Sequence, residues 1–421
     1  MMLLKTALKN LKKNPVMNIV CLLQLTAIFL ITAVTVSSIC VRFKRYIPVK
    51  DILELNGVFC EYSYKAGAEF PETATGDMRG SVDSYEELRE YTGAKNVFGV
   101  KSLYVIRSSP DGGIYEDDTT MSYCVIYSDE LINRYIPKLS RGRWVDPDSD
   151  ELEAVIPEGL YGADVGDVID MLFTQANAPV RATVRVVGVL KDGEDFLCPN
   201  SPYGRQSTDT SRTYRDLYCS YLAERDEGEN PPMLLSERAL KRLYPQTKTM
   251  IVGAFFDFSE TGASFQDMVS NTARTGGAAT SLKNMDFESR DYIYTELMKL
   301  LPIVIVLMVL VLVSAVSVSA IAARRRLRDY AKYYVLGLRW RQCALVNLFQ
   351  TLVTGAAAFV AAAVGITAIN VTRLSDTFAV TPNFWVFAAI FAIFALYLIF
   401  SMIMPLIMLN SATPKELLQT G

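Results

Sequence analysis

The densest run of chemically capable side chains in this 421-residue chain is cationic. Arg324, Arg325, Arg326, Arg328, Lys332, Arg339 and Arg341 crowd into one short stretch, opposed only by Asp329. Tyr330, Tyr333, Tyr334 and Leu336 are interleaved with them. Such a segment can seat an apolar face in a groove on a partner while rim charges set its orientation. The same arginines can also simply hold an adjoining membrane helix by the excess of positive charge that cytoplasmic loops carry.

Other chemistry is missing from the sequence. No GxxxxGK[ST] phosphate loop occurs, so ATP is not expected to bind in that way. GxSxG and HExxH are absent too. The chain has no His, and its seven Cys are scattered singly, which excludes the usual zinc spacings. Cys21, Cys40 and Cys343 lie in or beside apolar segments, whereas Cys60, Cys124, Cys198 and Cys219 lie in a polar block. A Cys198–Cys219 disulfide is an open expectation for an oxidising compartment. The acidic clusters Glu116-Asp117-Asp118 and Glu224–Glu229 lack the alternating Asp framework of a calcium loop and read as solvated surface. No catalytic constellation is visible, so an enzyme and a resident cofactor are not expected.

The elements that hold the cationic stretch are membrane helices. Val16–Val41, Leu300–Ala323, Ala344–Ile369 and Phe384–Leu409 contain no Asp, Glu, Lys or Arg, and a span needs roughly 20 apolar residues. The first is too long for a signal-peptide core and is read as a retained helix. Ion-coupled carriers place ionisable groups inside the membrane, and these spans have none. They also lack the interrupted repeats of secondary transporters. Small residues recur at four-residue spacing: Ala315, Ser319 and Ala323 in the second span, Ala357, Ala361 and Gly365 in the third. Such rows either pack helices closely or face lipid.

Charge is divided by position. Residues 51–296 hold 42 acidic and 24 basic side chains, a charge of −18, and the remainder holds 3 acidic and 18 basic, a charge of +15. That split implies two environments. The basic loop after the second span is assigned to the cytoplasm, and alternation then puts both termini inside and residues 42–299 outside. Lys5, Lys9, Lys12 and Lys13 precede the first span, but Arg42, Lys44, Arg45 and Lys50 follow it, so local charge does not orient that helix. Leu3, Leu4, Ala7, Leu8 and Leu11 share one helical face, which suits a helix lying in the membrane interface or a solvated lead-in.

The inserted block reads as α+β. Ser84–Tyr91 and Glu237–Leu243 have helical patterns; Leu103–Arg107, Ser122–Tyr127, Ala182–Leu190 and Ile251–Phe258 have strand patterns. Pro110-Asp111-Gly112-Gly113 and Lys191-Asp192-Gly193 are turn signals, and Asp195–Thr213 reads as an exposed loop.

Four local sequences resemble the MacB/FtsX-type permeases of ABC transporters. The first is Ala7-Leu8-Lys9-Asn10-Leu11-Lys12-Lys13-Asn14 ahead of a span. The second runs through the inserted block: Gly142-Arg143-Trp144, Ala154-Val155-Ile156-Pro157, Val165-Gly166-Asp167-Val168-Ile169 and Val186-Val187-Gly188-Val189-Leu190. Physically, Gly166-Asp167 would turn between strands and Val186–Leu190 would be a buried strand. The third is the basic segment, where Arg328, Asp329, Leu336, Gly337, Arg341 and Gln342 match or approach the family pattern while Tyr330–Tyr334 depart from it. The fourth is Pro405 with Pro414-Lys415-Glu416-Leu417-Leu418.

The resemblance implies an amphipathic helix (1–15), a first span (16–41), an extracytoplasmic α+β domain (42–299), a second span (300–323), a cytoplasmic coupling loop or helix (324–343), a third span (344–369), a short outer loop (370–383), a fourth span (384–409) and a cytoplasmic tail (410–421). It implies a permease subunit working as a dimer with a second permease copy, on which a separate cytoplasmic ATPase subunit, carrying ATP and Mg, docks through Arg328, Asp329, Tyr333, Leu336, Gly337 and Arg341. Work would be transmitted mechanically to the outer side, on a peptide or lipid-linked substrate or an outer partner protein. An acidic outer domain would attract cationic peptides, although acidity also serves solubility. The alternatives are a regulator of a cell-wall hydrolase with the same architecture, and a receptor or structural protein without an ATPase.

Overall fold

The structure is a computed structural model, and it describes residues 15–62, 84–108, 122–173, 180–191, 194–199, 212–218, 232–335, 340–372 and 383–411. In chain order the elements are α1 (Pro15–Tyr46), α2 (Lys50–Leu53), β1 (Gly57–Glu61), α3 (Tyr85–Thr92), β2 (Asn96–Arg107), β3 (Ser122–Tyr127) and α4 (Asp129–Arg134). Then come β4 (Leu139–Gly142), β5 (Leu152–Ile156), β6 (Val168–Phe173), β7 (Val180–Leu190), β8 (Met233–Ser236), α5 (Glu237–Leu243), β9 (Met250–Asp257), α6 (Phe265–Ala273) and β10 (Ala278–Ser281). The chain closes with α7 (Leu282–Val335), α8 (Trp340–Thr372) and α9 (Phe384–Ser411). Two units result: residues 1–43 with 293–421, and residues 44–292.

The first unit holds the apolar helices. Among the described residues four helices are long and apolar enough to cross a membrane. Leu25, Ile28, Phe29 and Ala33 of α1 pack with Ala358 and Ala362 of α8 and with Val386, Ile390 and Tyr397 of α9. Phe29 meets Phe394 edge to face at 6.0 Å. The close-packed face of α8 differs from the expected row. Ala357 is exposed and Ala361 half-buried, whereas Ala358 and Ala362 are buried. The reason is Gly355: a Cβ there would lie 2.0 Å from the Phe394 ring, so this glycine sets the α8–α9 approach and turns Ala358 inward with it. Gly365 faces Leu30, 3.2 Å from where its Cβ would stand. Ala315 and Ser319 lie in α7, but their side chains fall outside the described residues.

The second unit is built from two interlocked β-structures. In the first, β1, α3, β2, β9, α6 and β10 form a split βαβ arrangement with strand order β10-β1-β9-β2, every neighbour antiparallel. Its helices start where short polar side chains can cap them: Ser84 accepts from the Glu86 N–H and Ser264 from the Asp267 N–H. Val58, Cys60, Ala254, Phe256, Leu88 and Met268 fill the space beneath α3 and α6.

The second structure is inserted between β2 and β9. The last half of β2 leaves β9 after a register shift at Val100/Lys101 and pairs with β6 instead. The pairings β2–β3, β3–β8, β8–β5, β5–β7, β7–β6 and β6–β2 then close a six-stranded barrel, with β4 added beside β7. Alternate residues fill it: Leu103 and Val105, Cys124 and Ile126, Leu152, Ala154 and Ile156, Ile169, Met171 and Phe173, Ala182, Val184 and Val186, Met233 and Leu235. That period of two is the pleat of the strand read from inside. Cys124, Ala154 and Ala182 are small because six strands leave little interior width.

Candidate functional site

The cationic stretch is largely helix. α7 passes Ala323 and continues to Val335, and α8 begins at Trp340. Arg, Leu, Ala, Lys and Tyr are acceptable helix formers, and no Gly or Pro interrupts them before Gly337. Arg328, Asp329 and Tyr333 fall in the last turns of α7, and Arg341 is the second residue of α8. Leu336 and Gly337 lie outside the described residues, as do residues 1–14, the turn at 110–113 and Cys219.

A second assembly lies where α1 ends and α7 begins, within the inserted unit. The Tyr46 hydroxyl donates to Asp286 Oδ1 at 2.6 Å and accepts from Arg290 Nε at 3.0 Å. Arg290 also pairs with Asp286 and with Glu54, at 2.8 and 3.2 Å. Arg45 pairs with the buried Asp195 at 2.5 Å, and Lys44 with Glu194 at 2.8 Å. The Tyr218 hydroxyl donates to the Arg45 carbonyl, Tyr135 to the Asp195 carbonyl, and Ser289 Oγ accepts from the Tyr214 N–H. Burial pushes the Asp195 carboxyl above its ordinary value, although Arg45 pulls it back. This polar buckle ties the outgoing end of one apolar helix and the incoming start of another to the 194–218 segment.

The buckle corrects one expectation and explains another. Asp195–Thr213 is not all exposed loop: Asp195, Phe196, Leu197 and Cys198 are buried, and the Leu197 N–H donates to the Tyr127 hydroxyl at 2.5 Å. Three of the four cations that follow the first span are held by carboxylates, Lys44 by Glu194, Arg45 by Asp195 and Lys50 by Glu54, while Arg42 bonds back to Ser38. For Lys44 and Arg45, which have no acid within five residues, the surplus of positive charge after the span was the signal that distant partners exist.

Gly142-Arg143-Trp144 proves to be scaffolding. Gly142 has φ +82°, and a Cβ there would stand 2.1 Å from the Val187 carbonyl oxygen, so the close β4–β7 crossing requires glycine. Arg143 Nη1 donates to Glu153 Oε2 at 2.8 Å, its other arm to Oε1, and the Asp146 N–H to Oε2 at 2.9 Å. Trp144 Nε1 donates to the Ile132 carbonyl. Gly166 (φ +97°) makes the turn into β6. Lys101, fully buried at the β2 register shift, sits 2.8 Å from Glu237 and 4.8 Å from the Tyr85 ring centre.

Among the described residues the two polar assemblies set no nucleophile beside a base. Among the described residues no cluster of His, Cys, Asp and Glu could hold a metal. A cleft of about 240 Å³ between Glu151, Val168, Arg185 and Tyr244 is spanned by the Arg185–Glu151 pair. The buckle and the Arg143–Glu153 assembly are built of paired charges and hydrogen bonds, which hold position.

No family model matches the chain, and none of the curated proteins matches it. Among solved structures it is similar to the crystal structure of the periplasmic region of MacB from Actinobacillus actinomycetemcomitans, at 11% identity over 55% of this chain and 94% of that one. The TM-score is 0.27, a likeness too loose to carry an argument.

Proposed function

We propose that this chain is the permease subunit of an ABC-type transporter whose ATPase is a separate cytoplasmic protein. The observation that supports this reading most is α7. One helix of 54 residues starts directly after β10, contains an apolar span and ends in the basic, tyrosine-rich arm. At 1.5 Å per residue it is roughly 80 Å long. A helix shared in this way gives any push on the arm a covalent route to the inserted domain, with its hydrogen-bond ladder missing a donor only at Pro302. The buckle fastens the start of α7 to the end of α1, so the two helices would deliver one movement. Partner ATPase subunits would supply the nucleotide chemistry, and this chain would supply anchorage and transmission to work on the outer side. Two permeases with two ATPases form the working assembly in this reading.

The test is co-purification of the detergent-solubilised full chain, wild type beside Leu336→Asp and Gly337→Arg. The expected result is an ATPase recovered with wild type and reduced at least tenfold with either variant. Recovery of no ATPase after crosslinking in cells would remove the permease reading and leave a receptor or structural protein.

A further inference from the structure

We propose that α1 is the hub of the membrane bundle, and that Asn18, Cys21 and Gln24 are positioning residues which fasten it to the other three helices, one each. The Gln350 amide of α8 donates to Asn18 Oδ1 at 3.1 Å. The Cys21 thiol and the Tyr397 hydroxyl of α9 are in hydrogen-bonding contact, and both side chains are buried. Ser314 Oγ of α7 donates to Gln24 Oε1 at 2.7 Å.

The spacing is what makes this a device. Steps of three residues turn a helix by about 60° and advance it by roughly 4.5 Å. Asn18, Cys21 and Gln24 therefore trace a slanted row around two turns of α1, and each step of the row faces a different helix. The apolar packing does not distribute itself this way. The buried cluster joins α1 to α8 and α9 alone, and among the described residues the apolar window of α7 buries none of its side chains. In lipid there is no hydrophobic drive to bring helices together, so interhelical polar contacts carry weight there that they lack in water. Gln24–Ser314 is then the contact that keeps α7 registered against α1 inside the span.

The consequence rests on the permease reading. α7 and α8 flank the cationic arm, while α1 has no part of it. A displacement of the arm would reach α1 through Gln24–Ser314 and Gln350–Asn18, and from α1 the buckle at Tyr46. The first helix is driven by its neighbours through these contacts.

Double-mutant cycles on the full chain, unfolded by SDS from detergent micelles, test the hub. The pairs are Gln24→Leu with Ser314→Ala, Asn18→Leu with Gln350→Leu, and Cys21→Ala with Tyr397→Phe. Each pair is expected to be non-additive by about 3- to 15-fold in the unfolding equilibrium constant, the range of interhelical hydrogen bonds in bilayers. Additivity in all three cycles overturns the hub. With the ATPase bound, amide exchange over residues 44–55 should change on adding a non-hydrolysable ATP analogue. Asn18→Leu with Gln24→Leu should at least halve that change while still co-purifying the ATPase; an undiminished change overturns the relay. The cycles need no ATPase. Non-additive cycles in a chain that never recovers one would keep the hub and discard the permease reading, and additive cycles in a chain that does would do the reverse.

Discussion

Glu153 and Asp195 are both buried carboxylates, yet their environments pull them apart. Burial works against the Glu153 anion, but the Arg143 fork and the Asp146 N–H more than offset it and hold the group below its ordinary value. Burial dominates at Asp195 and raises it despite Arg45. The linkage signs are opposite. A depressed folded value contributes stability above the unfolded value that is lost as pH falls through the folded one; a raised folded value contributes stability at low pH that is lost as pH rises through it. Glu153→Gln should therefore flatten the fall in melting temperature on acidification below about pH 5, and lower stability near pH 7 by about 1–2 kcal/mol, or roughly 2–6 °C for a domain of this size. Asp195→Asn should steepen the acid-side fall. Melting curves of the full chain between pH 3 and 7 read both slopes, and equal slopes for the two variants would refute the assignment.

At the scale of elements, β2 is the member that both β-structures share, and Lys101 marks the place where it changes partners. Its ammonium is wholly buried against Glu237, the first residue of α5, which also holds Lys241 at 2.7 Å. The two halves of that pair are not equivalent. Lys101→Met leaves Glu237 its second cation and should cost little, within about 1.5 kcal/mol. Glu237→Leu takes the carboxylate away from the buried Lys101 ammonium and should cost about 3–5 kcal/mol. Chemical denaturation of both variants checks the asymmetry. The same strand shows what sequence could and could not reveal. Ala182–Leu190 and Glu237–Leu243 were legible because one face is apolar and the period is clear. The first half of β2, Asn96 to Ser102, was not: Val97, Phe98, Val100 and Lys101 are buried on both faces, so no alternation exists to read. β4 and β10 escaped because four-residue strands leave no period at all. The basic arm was plain from composition and a helix in it was expected from the resemblance, whereas its continuity with the second span was hidden by an apolar stripe that stops at Ala323. The buckle was invisible because its partners stand far apart in sequence, as Tyr46 and Asp286 do.

At the scale of the whole molecule, the inserted domain is a barrel threaded between the second and third strands of a split βαβ fold. β2 pairs with β9, and β1 with β10, across the entire insertion. Pairings separated so widely in the chain are slow to form, because loop closure must come first. This gives the domain a sequence in time. During synthesis the β1–α3–β2 segment emerges first and has nothing to complete its sheet until β9 arrives, by which point every strand of the barrel has been made. The barrel should finish first and shorten the closure that the outer sheet then makes. Pulse hydrogen-exchange labelling during refolding should find barrel amides in β5, β6 and β7 protected before those of β1 and β10, and the reverse order would contradict it. A domain made in this order spends its longest vulnerable interval with β1, and the β9-facing edge of β2, waiting. Those unpaired edges are the place where a chaperone would have most to protect.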